Sequence, residues 1–174
     1  MIRLSICNTP MDLVDTDLLL VTTYLDDRPL KGSVGLMDWR FNGSLSRLIL
    51  KSRFSGERGE ALLMPTWGRV EANELMLLGI GEKNKIHDPD IPHLVGMMVD
   101  KILQKGNTSF ALSISDFISG MFEWRNAVRL FMSMIAGNKE DLSVTLVEDK
   151  AFVEDAKARH MDFSYDVQVH YQLN

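Results

Sequence analysis

The sequence predicts an α/β fold, a three-layer αβα sandwich built on a mixed β-sheet with helices on both faces. Three observations carry this expectation. Short apolar runs with β-branched members mark buried strands, apolar residues recur at spacings of three and four between those runs, and 174 residues suffice for one domain with its own core.

The elements follow in chain order. Ile2, Leu4 and Ile6 alternate with Arg3 and Ser5, the period of a strand with one face on a core, and Asn8, Thr9 and Pro10 end it. Asp17 to Thr23 (DLLLVTT) is a continuous apolar run, which suits a strand covered on both faces. After a turn through Asp26, Asp27 and Pro29 the period changes. Val34, Met37 and Phe41, then Leu45, Leu48 and Ile49, fall at helical spacing, with Gly43 weakening the helix midway by about 1 kcal/mol relative to Ala. Glu60 to Met64 and Leu75 to Ile80 (LMLLGI) read as two strands joined through Trp67, Gly68, Arg69 and Asn73. Periodicity alone leaves helix open for both, and the flanking Gly59, Pro65 and Gly79 favour strand.

The second half is cleaner. Leu94, Val95, Met98, Val99, Ile102 and Leu103 form one helical stripe, begun near Asp90 and Pro92 and stopped by Gly106. Phe110, Leu112 and Ile114 alternate as a strand. Met121, Trp124, Val128, Phe131 and Ile135 give a second stripe ending at Gly137, followed by a strand with Leu142, Val144 and Leu146. A short helix near Asp149 and a closing strand with Val167, Val169 and Tyr171 finish the chain, and residues 1–174 read as a single domain without repeats or linkers.

Composition narrows the function classes. The net charge of −5 argues against a general nucleic-acid binder, whose affinity comes from neutralising phosphates. No apolar run approaches the roughly 20 residues that span a bilayer, and the N-terminus lacks the basic-then-apolar plan of a signal peptide, so no membrane role is expected. One cysteine, Cys7, permits no internal disulfide, which suits the cytoplasm.

Candidate chemistry is sparse. His87, His93, His160 and His170 form no HExxH pattern and read as surface histidines, so no metal is expected. Gly32, Ser33, Val34 and Gly35 set a serine between glycines before a helix. No base is implied nearby, and the arrangement reads as a turn or as backbone N–H groups able to meet an anion. Gly79, Ile80 and Gly81 begin like a dinucleotide loop, but the third glycine position is Asn84, and a strand-ending turn fits better. Between Lys31 and Arg58 six cations face two carboxylates, a local excess read first as a solvated helix face. The eleven methionines, with Met97, Met98, Met132 and Met134 on helical stripes, and Trp39, Trp67 and Trp124 all read as packing residues.

One resemblance organises these features. The stretch from Asp17 through Gly81, with DLLLVTTY, PLKGSVGLMD, FSGERGEALLMP and LMLLGIGEKNKI, resembles the N-terminal domain of the cytosol leucyl aminopeptidases. The likeness continues through the helix at Leu94 to Leu103 and the strand FALSI, covering most of residues 1 to 147. It implies a macro-domain-like sandwich. In that family the two-zinc catalytic machinery sits in a separate C-terminal domain, and the NTDAEGR-type run has no counterpart here, so aminopeptidase activity is not carried over.

The wider likeness is to macro domains, which bind ADP-ribose. Leu30 to Asp38 (LKGSVGLMD) is similar to their glycine-rich first loop, and Ile118 to Phe122 (ISGMF) sits where they carry a diphosphate-binding loop. Two departures stand out: the expected Asn-Ala-Asn run is Thr22, Thr23 and Tyr24, and the glycine expected at the end of the second loop is Glu123, whose carboxylate would repel a diphosphate.

Two functions follow as expectations. The first is a non-catalytic, macro-like accessory or regulatory module that acts by protein association, with itself or with a peptidase-like partner. The second is a nucleotide or ADP-ribose binder using Gly32, Ser33, Val34, Ser119, Gly120 and Phe122. No catalytic residue and no cofactor are assigned under either.

Overall fold

The computed structural model describes residues 1–137 and 141–174. Its strands are β1 (Ile2–Cys7), β2 (Leu18–Tyr24), β3 (Ala61–Pro65), β4 (Glu74–Gly81), β5 (Ser109–Leu112), β6 (Leu142–Val147) and β7 (Val167–Gln172). The helices are α1 (Gly32–Arg40), α2 (Ser44–Leu50), α3 (Ile91–Lys105), α4 (Ile114–Ile118), α5 (Trp124–Ile135) and α6 (Lys150–Ala158). The strands form one seven-stranded sheet in the order β3-β4-β2-β5-β6-β1-β7. Every pairing is parallel except β3 with β4, which makes the sheet mixed.

The continuous apolar runs are explained by burial on both faces. In β2, Leu18 and Leu20 enter one core while Leu19 and Val21 enter the other, and β4 divides the same way, with Met76, Leu78 and Ile80 against Leu75 and Leu77. The larger core lies under α3, α4, α5 and α6; the smaller lies under α1 and α2. Where α1 and α2 do not reach, the second face meets water, and β1 keeps the alternation of a half-covered strand, with Leu4 and Ile6 buried and Arg3 exposed. The sandwich with helices on both faces is as the residue pattern predicts.

Several boundaries differ from the pattern. The helix expected from Val34 to Ile49 is two helices, because Gly43 takes φ of +73° and the chain reverses there. Asp38 staples the pair, accepting the Ser46 N–H at 3.0 Å. The strand expected through Ile114 ends at Leu112, since Ser113 Oγ accepts the Asp116 N–H at 3.1 Å and starts α4. Met121 lies in the turn before α5 rather than in it. Gly79 and Gly81 belong to β4 instead of a turn. At Gly79 an added Cβ would stand 2.2 Å from the Glu57 carbonyl oxygen, so the glycine exists to admit the backbone of residues 56 and 57.

The tryptophans divide. Trp124 is buried and stacks on Phe152 with ring centroids 5.2 Å apart, as a packing residue should. Trp39 and Trp67 are both 68% exposed and enter neither core, which corrects their reading as packing residues. Met37, Met76, Met98 and Met132 are buried as core residues.

Candidate functional site

β2, β5 and β6 run parallel and end at one edge of the sheet. After β2 the chain leaves to α1 over the smaller core, and after β5 it leaves to α4 and α5 over the larger one. The connections part, and a crevice opens outside the carboxyl ends of the strands, the usual ligand position of an open α/β sheet. Three adjoining cavities of about 280, 270 and 310 Å³ occupy it, and all three are lined by Ser115 and Asp116.

All six residues expected at a ligand site reach this crevice. Gly32, Val34 and Ser119 line the first cavity, Gly32 and Ser33 the second, and Ser119, Gly120 and Phe122 the third. Val34 turns most of its side chain into the smaller core. Ser119 Oγ accepts from Lys83 Nζ, and that ammonium also lies 5.3 Å from the centroid of the Tyr24 ring. Tyr24 donates its hydroxyl to the Phe117 carbonyl at 2.7 Å, and burial, with Asp27 and Asp116 nearby, pushes its pKa well above the ordinary range.

Helix starts at such a crevice ordinarily leave backbone N–H groups free for an anion. Here the chain's own carboxylates take one or two at each helix start. Asp116 Oδ2 accepts the Ser33 N–H at the start of α1, at 2.9 Å. Glu123 caps α5, its two oxygens accepting from Arg125 N at 3.1 Å and Asn126 N at 2.8 Å. Glu148 caps α4, accepting from Ile114 N at 2.7 Å and from Ser115 N at 3.2 Å. Glu123 is thus not a bare charge: its carboxylate is engaged as the cap of α5, and it lines none of the three cavities.

The electrostatics follow from this arrangement. Asp27, Asp116, Glu148 and Asp149 line the crevice against Lys31 and Lys83, and Lys31 is held by Asp27 at 3.5 Å. Glu148 is buried, and that burial pushes its pKa up to about 7 against the opposing pull of the Ser115 and Ile114 hydrogen bonds. Trp124 Nε1 faces the same carboxyl without closing a hydrogen bond. The crevice is open and acidic.

These carboxylates do not form a metal site. Asp116 and Glu148 spend oxygens on backbone N–H groups, and among the described residues no three His, Cys, Asp or Glu side chains converge on a common point. The four histidines are exposed and scattered. A zinc pair does not fit the donors present. Asp116, Glu148 and Lys83 were not legible as site residues. Ser113 and Asp116 do stand as a Ser-x-x-Asp capping pattern that marks the start of α4.

The sequence model for the cytosol aminopeptidase family, N-terminal domain, matches residues 19–137. The chain belongs to this family. A probable cytosol aminopeptidase of Sulfurihydrogenibium is 25% identical over 116 residues, a match covering 67% of this chain and 22% of that protein. The chain spans about a quarter of the length of the curated aminopeptidases it matches. Among solved structures, the macrodomain of Mycobacterium tuberculosis DarG superposes with a TM-score of 0.63 at 11% identity, over 82% of this chain and 96% of that one. Thermosipho africanus DarTG in complex with ADP-ribose gives 0.55 at 15% identity, over 78% and 39%. This cytosol aminopeptidase N-terminal domain therefore has the macrodomain fold. No helix in its described residues is long and apolar enough to cross a membrane.

Proposed function

We propose that residues 1–174 act as one non-catalytic accessory module of the cytosol aminopeptidase type, working through protein association in the cytoplasm, with a cleft that refuses ADP-ribose and other nucleotides. One observation supports the reading: Asp116, Glu148 and Glu123 already accept N–H groups at the starts of α1, α4 and α5, which an anion would otherwise meet. A ligand phosphate would have to displace a carboxylate from its N–H partners and then remain beside it in a cleft already rich in negative charge.

Calorimetry with ADP-ribose is the test. The protein gives no heat up to millimolar ligand, whereas the pair Asp116→Ala and Glu123→Gly, which vacates two helix starts, gives measurable binding. A micromolar dissociation constant for the unaltered chain overturns the reading. Turnover of leucine amide by the purified chain would overturn its non-catalytic half.

The second reading, nucleotide-type binding through Gly32, Ser33, Val34, Ser119, Gly120 and Phe122, is favoured by their convergence on one crevice and by the ADP-ribose held by Thermosipho DarTG. The same titration separates the two.

A further inference from the structure

The crevice divides by charge. Lys31 and Lys83 line its first cavity, whereas the charged side chains lining the second and third are Asp116, Glu148 and Asp149, with no Lys, Arg or His among them. Cations nearby are already engaged: Arg125 with Asp155 at 3.1 Å, Lys150 with Glu154 at 3.8 Å, and Lys83 on Ser119 Oγ. Asp116 and Asp149 each line both of these cavities, and neither has an ion-pair partner among the described residues. Asp116 gives Oδ2 to the Ser33 N–H and keeps Oδ1, and Asp149, although it stands at the N-cap of α6, makes no side-chain cap.

A second feature calls for a ligand independently of charge. Trp124 is 4% exposed and lines the third cavity, and its Nε1 donor has no hydrogen-bond partner. A buried donor left unpaired is costly, and an acceptor repays it. The indole is fixed by its stack on Phe152, so Nε1 stays facing the Glu148 carboxyl, which lines the second cavity.

We propose that the second and third cavities bind a small organic cation with a hydroxyl beside its ammonium group, an amino alcohol with an apolar body. The proposal rests on the closed-cleft reading above, in which the same carboxylates turn phosphates away. The ammonium meets Asp116 Oδ1 and Asp149, both charge-assisted contacts. Among the described residues no three His, Cys, Asp or Glu side chains converge, so a metal ion lacks its ligands, whereas an organic cation needs only these two carboxylates. The hydroxyl accepts from Trp124 Nε1 and donates to Glu148. A carbonyl has no proton for the second bond, and a carboxylate would add negative charge beside three acidic side chains. Nε1 is closed to solvent, so the Trp124 and Glu148 side chains part slightly to admit the hydroxyl. Ile118, Phe122 and Phe152 line the third cavity and receive the apolar body.

Calorimetry of the full chain with phenylalaninol tests this at pH 8, above the Glu148 pKa of about 7, where that carboxyl accepts and does not donate. The unaltered protein binds phenylalaninol with a dissociation constant below about a millimolar. Phenylethylamine, which lacks the hydroxymethyl group, and N-acetylphenylalaninol, which lacks the charge, each bind about 10-fold or more weakly. Asp149→Asn, an exposed change that keeps a good N-cap residue, weakens phenylalaninol by about 10-fold and leaves circular dichroism and melting unchanged. Trp124→Phe keeps a ring in the core and removes the donor, so phenylalaninol loses its advantage over phenylethylamine; if that variant does not fold, Asp149→Asn and the probe series decide. No heat with phenylalaninol at several millimolar, equal affinity for either lesser probe, or an Asp149→Asn variant that binds as tightly as the unaltered chain overturns the proposal. Silence with both phenylalaninol and ADP-ribose defeats the cation site alone, and heat with ADP-ribose defeats the closed cleft instead.

Discussion

Glu148 concentrates the physics of the cleft in one side chain. Its carboxyl is buried, and three hydrogen bonds from α4 and Ser113 do not offset the desolvation, so its folded pKa stands near 7 against an ordinary value of 4.5. The folded state therefore binds more protons than the unfolded chain between those two values. Stability from this group is full below about pH 4.5, falls as pH rises toward 7, and is level above, opposite in sign to a salt-bridged carboxylate. Glu148→Gln, which imitates the protonated group, removes this slope. Urea denaturation at pH 5 and pH 8 reads it: the difference attributable to the group is on the order of a few kcal/mol in the unaltered protein and vanishes in the variant. An unchanged slope would place the titration elsewhere.

At the scale of elements, the short carboxylate caps decide where helices begin. Glu123 holds two N–H groups of α5, whose apolar side carries Trp124, Val128, Phe131 and Ile135 into the larger core. Glu123→Ala removes that cap and lowers stability by about 1 kcal/mol, a drop of roughly 2–4 °C in Tm by calorimetry. β2 was readable because its continuous apolar run serves two cores at once, whereas the equally apolar β4 needed the flanking glycines and proline to set it apart from a helix. The start of α4 was not readable. Ile114 is buried in the same core as Phe110 and Leu112, so the period of two runs one step past the true end of β5 and hides the Ser113 cap. The caps of the cleft were illegible for a related reason: Asp116 meets Ser33 across 83 residues and Glu148 meets Ile114 across 34, distances no local pattern spans. Trp67 beside Gly68 is legible as the connection between β3 and β4, while its outward indole is not, since a large apolar side chain reads as packing.

Across the whole molecule, the fold and the chemistry have separated. The parting of α1 from α4 and α5 opens a crevice at the carboxyl ends of the strands, and N–H groups at the starts of all three helices are bound to the chain's own carboxylates. The opposite end presents the exposed Trp39 and Trp67. We propose that the carboxylate caps close the crevice to anions. Amide NMR tests that claim most directly. Millimolar ADP-ribose should leave in place the amide resonances of Ser33, Ile114 and Asn126, whose N–H groups Asp116, Glu148 and Glu123 hold. Saturable shifts of those same amides on adding ADP-ribose would contradict the account.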